Sequence, residues 1–323
     1  MCEALWVSTT SSFETDYATV TEGVGLLDVS ERGKLALTGT EAKEFLHGQV
    51  TQDINGLHPG HGCYAAFLTQ KGKMLGDLRV LDAGGELLLD TERVALQGLF
   101  NMIRTFSLGY DAQLHKRTLE CGLLSLIGPL ADELITRAGA TLGPAEHDHC
   151  ELNLGGSTVR AIRTDVGVDV LCGAEELPAV RDALLAAGAV EIAEQAAEVL
   201  RIERGRPRYG IDLDDSVIPQ EAHLNQRAVS FTKGCYVGQE TVARLFYKGK
   251  PNRELRGLRS AEPLAVGTEL TLDDRVVGTV TSASLSPRFG AVAMALVRRE
   301  APPGAIVQAG DQQEAVVCEL PFD

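Results

Sequence analysis

Residues 233–240 read Lys-Gly-Cys-Tyr-Val-Gly-Gln-Glu, a stretch called here the thiol motif. Two glycines flank Cys235 and allow the backbone to turn sharply or to approach a ligand closely. The residues from Gln239 onward have the pattern of a helix start. The positive end of that helix and the ammonium of Lys233 both favour a thiolate, so Cys235 is a candidate reactive residue. The alternative is a buried structural cysteine.

The thiol motif lies in the basic part of an acidic chain. The protein has 323 residues and a formal charge of −15, which argues against nucleic acid as a partner because phosphate contacts need basic surface. Residues 201–259 contain 12 Lys or Arg and 7 Asp or Glu, a local charge of +5 that leaves −20 for the remainder. Such a segment suits a small anionic ligand. The alternative is chance clustering of charge on a solvated face.

Composition and cysteine usage indicate a globular protein of a reducing compartment. The hydrophobic fraction is 44% and the charged fraction is 23%, both ordinary for globular proteins. No apolar run approaches the ~18 residues of a membrane helix, and the N-terminus lacks the pattern of a signal peptide. The seven cysteines form no CxxC pair, so the sequence predicts neither a disulfide framework nor a zinc site. We expect a cytoplasmic monomer with no membrane partner.

The run His147-Asp148-His149-Cys150 contains residue types that bind metals. No second ligand pair follows at a suitable spacing. We therefore interpret the run as a polar loop, and the sequence predicts no metal site.

A helix predicted over residues 192–204 places a carboxylate on its apolar face. Ala196, Val199 and Leu200 form the apolar stripe, and Glu203 takes the next position on it. Burial of an unpaired carboxylate is costly. Two interpretations remain open: an ion pair with an arginine at position 204, 206 or 208, or acceptance of paired N–H donors from a ligand.

The patterns of the other segments predict an α+β fold with mainly antiparallel sheet. The first residues, through Ser11-Ser12, are expected to be loose. Residues 64–69 and 74–81 are predicted strands joined by a hairpin at 70–73. After Pro251, short strands separated by turn signals predict a small, partly closed β-barrel. The predicted domains are residues 1–248 and 249–323.

The thiol motif is typical of the YgfZ-type folate-binding proteins, which are relatives of the aminomethyltransferase (T-protein) of the glycine cleavage system. The chain resembles this family over about its whole length. Further matching stretches follow in the family's order at residues 27–30, 38–42, 45–53, 64–78, 201–205, 209–212, 286–287 and 293–298.

The resemblance implies a T-protein-like cloverleaf of three parts, with two interleaved N-terminal subdomains and a small C-terminal β-barrel around a hole that binds tetrahydrofolate. Carried over by position, Glu203 would grip the pterin amino and N3–H groups. Tyr64 would lie along the folate. Asp77 falls on the aspartate that T-proteins use near the reactive folate nitrogens.

Within the thiol motif, the resemblance makes Lys233 and Tyr236 further candidates for folate binding. Cys235 and Asp77 are the candidate catalytic residues. For Cys235 the sequence permits a reactive thiolate, a transient cluster or metal ligand, or a thiol that shields folate. A lone cysteine cannot hold an iron–sulfur cluster, which usually needs about four thiolates.

Two differences from T-proteins bear on function. T-proteins usually carry two adjacent aspartates where this chain has Gly76-Asp77, which argues against methylene transfer. They generally lack a cysteine at the position of Cys235, whereas YgfZ-type proteins have one.

The resemblance thus implies a folate-binding accessory protein that supports assembly, repair or maintenance of iron–sulfur enzymes, including those that modify tRNA. Such client enzymes would be its partners. The alternative is an enzyme, a folate-dependent aminomethyltransferase or demethylating one-carbon transferase. A third possibility is a folate store or a non-catalytic scaffold.

Overall fold

A computed structural model describes residues 3–310 and 313–323, with side chains from Ser12 onward. A short 3-10 helix covers Pro219–Ala222. The α-helices are α1 (Glu3–Glu22), α2 (Ala42–Gln49), α3 (Leu96–Phe106), α4 (Ala131–Arg137), α5 (Leu177–Ala186), α6 (Glu194–Glu203), α7 (Asn225–Ala228) and α8 (Gln239–Lys248).

The strands form two open sheets and one closed barrel. They are β1 (Gly25–Asp28), β2 (Gly33–Thr38), β3 (Gly62–Leu68), β4 (Met74–Asp82), β5 (Leu87–Thr91), β6 (Gln113–Lys116), β7 (Cys121–Ile127), β8 (His149–Leu154), β9 (Ser157–Arg163), β10 (Gly167–Gly173), β11 (Val190–Glu191), β12 (Arg253–Ser260), β13 (Glu269–Leu272), β14 (Arg275–Ser286), β15 (Gly290–Arg298), β16 (Ile306–Ala309) and β17 (Gln313–Cys318).

The chain divides into two compact units that alternate along the sequence. The first unit contains the residues up to Ala65 and Asp77–Ala197, and the second contains Ala66–Gly76 and Glu198–Asp323. The chain therefore passes from one unit to the other after residues 65, 76 and 197. The predicted domain division, 1–248 and 249–323, stays a prediction.

A six-stranded sheet in the first unit has the strand order β11-β1-β7-β10-β9-β8. Strand β1 pairs in parallel with β11 and antiparallel with β7. Side chains of a strand alternate between the two faces, and in β10 Val168, Val170 and Cys172 are the buried set. They join a core to which α4 and α5 contribute, for example through Leu134 and Leu184. This α+β arrangement, with antiparallel pairing prevalent, was predicted from the sequence.

A five-stranded sheet has the order β3-β4-β5-β2-β6. The predicted hairpin joins β3 to β4, and the amide of Thr69 donates to the carbonyl of Lys73 over 2.8 Å. Gly72 in this turn has a φ of 76°, a conformation that glycine adopts without steric cost. The tip of the hairpin, Ala66–Gly76, belongs to the second unit.

The second unit contains a closed six-stranded barrel with the order β12-β15-β14-β13-β16-β17. The prediction was a partly closed barrel, and the pairing of β12 with β17 completes the closure. Closure leaves no strand edge exposed. A second apolar cluster joins α6 to the barrel through Ile202, which packs with Leu255, Met294 and Phe322.

Two local predictions were wrong. The N-terminal stretch expected to be loose is helical from Glu3; burial of Tyr17 and Val20 gives this helix the tertiary packing from which most helical stability derives. The run expected to be a polar loop is buried at positions 147–149. His149 begins β8, and Asp148 accepts hydrogen bonds from the Ala145 amide and the His61 ring.

None of the helices in residues 3–310 and 313–323 has the length and hydropathy needed to span a bilayer.

Candidate functional site

The first unit brings together two of the residues predicted to contact folate. Tyr64 lies on β3 and Asp77 on β4, which are neighbours in the five-stranded sheet. The Tyr64 hydroxyl donates a 2.6 Å hydrogen bond to Asp77 Oδ2. The backbone carbonyl of Asp77 accepts from the hydroxyl of Thr91 on β5. Sheet pairing thus fixes the position of both side chains.

Asp77 is only 5% exposed, and burial raises the pKa of its carboxyl group to about 6. The hydrogen bond from Tyr64 and the positive charge of Arg32 oppose this rise, whereas Glu92 adds to it. Burial favours the neutral form because a charged carboxylate loses hydration. Asp77 can therefore exchange a proton near neutral pH, as general acid–base chemistry requires.

Arg32 was not predicted as a site residue. Its Nε donates to Asp90 Oδ1 over 2.8 Å, and its NH1 group donates to Glu92. Arg79 contacts the other oxygen of Asp90 at 2.6 Å. Burial would raise the pKa of Asp90, but the guanidinium groups of Arg32 and Arg79 hold it below its usual value. Asp90 therefore stays ionised and holds Arg32 in place. The positive charge of Arg32 limits the rise in the pKa of Asp77.

In the second unit, Glu203 is the last residue of α6 and is 6% exposed. Its Oε1 accepts a 2.5 Å hydrogen bond from the Ser286 hydroxyl. The Ser286 oxygen itself accepts from the amides of Arg288 and Phe289 at 3.1 and 2.9 Å. These two donors fix the direction of the Ser286 proton, so the serine orients the Glu203 carboxylate.

The buried carboxylate confirms the predicted apolar position of Glu203 on its helix. The alternative of an ion pair with Arg204, Arg206 or Arg208 stays a prediction. Ser286 was missed as a site residue: its sequence neighbours give no sign that it meets a side chain 83 positions away.

The last two residues of the thiol motif, Gln239 and Glu240, open α8, as the sequence predicted. Gly238 caps this helix with a φ of 85°. A Cβ atom at this position would lie 2.6 Å from the carbonyl oxygen of Thr69, so glycine permits the close packing of the motif on the hairpin tip. Cys235 is exposed and lies four residues before the first helical residue, Gln239. The expected thiolate character of Cys235 stays a prediction.

The side chains around Cys235 are held in place by aromatic contacts. Lys233 Nζ lies 5.0 Å from the centroid of the Tyr236 ring, a cation–π geometry. Burial raises the pKa of Tyr236 to about 12, so its hydroxyl stays protonated. Phe231, just before the motif, stacks on Phe246 of α8 with 3.8 Å between ring centroids. The exposed thiol thus lies on a segment that is anchored at both sides.

A buried ionic cluster joins the end of α6 to the barrel within the second unit. Arg201 NH1 lies 2.6 Å from Asp212 Oδ2. The hydroxyls of Thr281 and Ser282 on β14 both donate to Asp212 Oδ1, at 2.6 and 2.7 Å. This cluster fixes the helix that carries Glu203.

A cleft of about 660 Å³ in the second unit lies beside this cluster and is lined in part by Lys73, Asp212, Glu221, Arg253 and Arg298. None of the predicted site residues lines it. Its wall also includes apolar side chains such as Ile211, Val276 and Leu296, so charged and apolar groups are mixed along the cleft.

The described ranges, 3–310 and 313–323, contain no group of three or more His, Cys, Asp or Glu side chains arranged to hold a metal ion. In the buried His147-Asp148-His149 run, burial and then the charge of Arg160 lower the pKa of His149 to about 4. The ring is therefore neutral at pH 7.

Two protein-family models match the chain. Residues 6–233 match the GCVT N-terminal domain, and residues 253–323 match the glycine cleavage T-protein C-terminal barrel domain. The chain belongs to the glycine cleavage T-protein family.

Relatives of this T-protein family member cover nearly all of its length. An aminomethyltransferase of Rubrobacter xylanophilus is 28% identical over 97% of this chain and 86% of its own. A chloroplastic protein of Arabidopsis thaliana, named as a candidate transferase, is 27% identical over 93% of this chain and 71% of its own. The resemblance noted from the sequence is thereby confirmed at the level of the T-protein family.

A solved structure confirms the fold. The glycine cleavage system aminomethyltransferase T from Bartonella henselae superimposes with a TM-score of 0.84 and covers 96% of this chain and 89% of its own, at 24% identity. The predicted T-protein-like architecture with its C-terminal barrel is therefore correct.

Proposed function

We propose that this T-protein family member is a tetrahydrofolate-binding accessory protein of the YgfZ type, which supports the assembly, repair or maintenance of iron–sulfur enzymes, including those that modify tRNA. The observation that carries the proposal is the exposed thiol of Cys235, presented by an anchored segment of a T-protein fold. A thiol that serves partner enzymes must be accessible to them.

The buried carboxylate of Glu203 fits a pterin ring. An ionised carboxylate only accepts hydrogen bonds and has two oxygens, whereas the pterin amino and N3–H groups are adjacent donors. Ser286 holds one carboxylate oxygen in a fixed direction, which lowers the ordering cost of binding. Bound tetrahydrofolate would supply nitrogens that carry one-carbon groups.

Tyr64 and Asp77 are the residues that we assign to the reactive part of the folate. With a pKa of about 6, Asp77 is mostly ionised at pH 7 but can take up a proton at modest cost. The Tyr64 hydroxyl holds the carboxylate in one orientation. Lys233 and Tyr236, held against each other at 5.0 Å, would complete the contacts with the folate.

Cys235 would act on or with a partner. One thiolate is far short of the usual complement of about four cluster ligands, so any ligation would need thiols of a client enzyme. We propose iron–sulfur client proteins as partners, a cytoplasmic location and a monomeric state, with no direct binding to nucleic acid.

Titration with tetrahydrofolate under anaerobic conditions tests the folate site. We expect Glu203→Gln to weaken binding about tenfold or more, because hydrogen bonds to a charged acceptor are worth about 1.5–3 kcal/mol. The control is Glu262→Gln, the same change at an exposed residue of the second unit. Equal affinities of wild type and Glu203→Gln would show that Glu203 does not hold the pterin.

Complementation tests the thiol. In a strain lacking the gene, wild type and the control Cys318→Ala should restore iron–sulfur enzyme activity, whereas Cys235→Ala should not. Thermal unfolding of the purified variants establishes that each is folded. Full complementation by Cys235→Ala would refute the role of the thiol, whatever the folate titration gives.

A one-carbon transferase is the second candidate, and the Tyr64–Asp77 pair favours it. A carboxyl group with a pKa of about 6 is suited to proton transfer at neutral pH, and one relative is named as an aminomethyltransferase. Incubation with an aminomethylated carrier protein and tetrahydrofolate decides between the candidates. Product formed at enzymatic rates, and lost in Asp77→Asn, would place the transferase first.

A further inference from the structure

Three aromatic side chains, Phe231, Phe246 and Tyr247, form a cluster beside the thiol motif, called here the aromatic patch. Phe231 and Phe246 stack with 3.8 Å between ring centroids, and Tyr247 lies edge to face with them at 6.4 and 5.0 Å. Phe246 is 46% exposed and Tyr247 is 67% exposed. All three belong to the second unit. The proposed folate contacts do not account for this exposed aromatic surface.

The packing of the three rings on one another holds the patch in one arrangement. Stacked and edge-to-face ring pairs attract each other beyond the effect of their burial. Phe231 precedes the thiol motif, whereas Phe246 and Tyr247 lie in the last turn of α8. The stack therefore joins the two ends of the segment that carries Cys235. A surface ordered in advance loses little conformational entropy when a partner binds.

Basic side chains lie beside Tyr247. Arg244 and Lys248 share its face of α8, because residues three and four apart are neighbours on a helix, and Lys250 follows the helix. All three cations are exposed. In the part of the chain that the structure describes, none of these three side chains forms a hydrogen bond or an ion pair. Their charges are therefore available to an acidic partner.

The segment that carries the aromatic patch is basic. Residues 231–250 contain four Lys or Arg and one acidic residue, Glu240, a net charge of +3 in a chain of −15. Aromatic residues and arginine are enriched in protein interfaces, and a polar rim surrounds their apolar centre. Complementary charges guide the association of such surfaces. The aromatic patch and its cations therefore have the composition of a docking surface for a protein with carboxylates.

An acidic protein surface fits this segment better than a nucleic acid does. The stack occupies one face of Phe231 and one face of Phe246, whereas single-stranded nucleic acids bind through open ring faces. The overall charge of −15 also opposes a long polyanion, which needs extended basic surface. A folded protein needs complementarity only over its contact area, about 800 Å² on each partner.

We propose that the aromatic patch is the docking surface for an iron–sulfur client enzyme, whose carboxylates pair with Arg244, Lys248 and Lys250. The identity of the client rests on the proposed function. Cys235 is four residues after Phe231, so their Cα atoms are at most about 15 Å apart. A contact area of about 800 Å² has a radius of about 16 Å. An interface centred on the patch is therefore wide enough to include the exposed thiol.

A photoreactive phenylalanine analogue at position 247 identifies the partner that docks. After irradiation of living cells, mass spectrometry should find an iron–sulfur enzyme cross-linked at this position. The same analogue at Val266, which is exposed to a similar extent in the second unit, is the control and should give no such product. Cross-links only to RNA or to proteins without an iron–sulfur cluster, or no cross-link at all, would overturn the proposal.

Binding assays with the cross-linked enzyme, purified, measure each part of the surface. Tyr247→Ser should weaken binding at least about tenfold, as the loss of an interface hot spot does. The double change Arg244→Gln with Lys248→Gln should also weaken binding, and should reduce its salt dependence between about 50 and 500 mM because salt screens exposed charge pairs. Val266→Ser and Arg275→Gln, at exposed positions of the second unit, are the matched controls. Wild-type affinity in both patch variants would refute the proposal.

Failure of docking and failure of the proposed function give different results. Tyr247→Ser retains the thiol and should bind tetrahydrofolate as wild type does, yet iron–sulfur enzyme activity in the complemented strain should fall. Cys235→Ala should bind the client as wild type does. Full complementation by Tyr247→Ser, shown to be folded by thermal unfolding, would overturn the docking surface alone. Full complementation by Cys235→Ala would overturn the role of the thiol without changing the cross-link at position 247.

Discussion

Asp77 is the candidate catalytic residue of the first unit, and its carboxyl group has a raised pKa. It is almost fully buried, yet its carboxylate receives a hydrogen bond from Tyr64 and the attraction of Arg32. These two contacts favour the ionised form, and burial favours the neutral form. Burial dominates, because the pKa lies at about 6 rather than below 3.8.

Removal of the Tyr64 hydroxyl should shift this balance further. Tyr64→Phe deletes a donor to the charged form of Asp77, so the pKa of Asp77 should rise above its wild-type value of about 6. NMR titration of the side-chain carboxyl carbon measures the pKa directly. An unchanged or lower pKa in Tyr64→Phe would show that the hydrogen bond does not stabilise the carboxylate.

The pKa of Asp77 also predicts how stability depends on pH. Because the folded pKa, about 6, lies above the ordinary 3.8, the native state retains a proton that the unfolded chain has lost between these values. The stabilising contribution of Asp77 is therefore fully present below about pH 3.8 and is lost as pH rises through about 6. The whole difference corresponds to about 3 kcal/mol.

Asp77→Asn removes this titration while leaving an acceptor for Tyr64. The free energy of unfolding of the variant, relative to wild type, should rise by up to about 3 kcal/mol between pH 4 and pH 7. Urea unfolding at the two pH values measures it. A relative stability that is constant across this range would contradict the raised pKa.

At the scale of elements, α8 and the hairpin tip depend on a glycine between them. Gly238 has a φ of 85°, and a Cβ atom at this position would lie 3.1 Å from Gly72 Cα. Any side chain at Gly238 would strain the backbone and collide with a carbonyl oxygen, since its Cβ would lie 2.6 Å from Thr69 O. The same contact positions the thiol motif.

Gly238→Ala should therefore reduce the free energy of unfolding by about 1–3 kcal/mol. The control is Gly48→Ala within α2, where a Cβ atom meets nothing within 4 Å and the change should stabilise by up to ~1 kcal/mol. Chemical denaturation of the two variants measures both effects. Equal stability of Gly238→Ala and wild type would mean that the hairpin can move away at no cost.

For the whole molecule, apolar packing within the barrel and between the barrel and Ile202 determines which parts can fold alone. The barrel has its own apolar core, which includes Leu258, Val280 and Val307. In contrast, Ile202 is fully buried and packs with barrel residues. Exposure of such a side chain costs about 1.5–3 kcal/mol.

Separate expression of residues 1–248 and 249–323 tests the predicted domain division. We expect the barrel fragment to unfold cooperatively on heating. The larger fragment should have a lower free energy of unfolding than the full chain and should bind a hydrophobic dye, because Ile202 no longer has its barrel partners. A barrel fragment without a cooperative transition would show that residue 249 is not a domain boundary.

Features that depend on neighbours along the chain can be predicted from the sequence. The hairpin at residues 70–73, the start of α8 after Gly238 and the inward position of Glu203 all follow from local periodicity and turn chemistry. These rules act over a few residues, so they can be applied without knowing the fold. The T-protein fold was predicted because the thiol motif and the other matching stretches occur in the family's order.

Contacts between residues distant in sequence depend on the fold and cannot be predicted from local patterns. The hydrogen bond from Ser286 to Glu203 spans 83 positions and that from Arg32 to Asp90 spans 58, and no local pattern encodes such pairings. The burial of residues 147–149 was also missed, because polar residues predict a loop unless distant partners satisfy them. The raised pKa of Asp77 has the same origin: it depends on how much water the folded chain excludes, which the sequence alone does not specify.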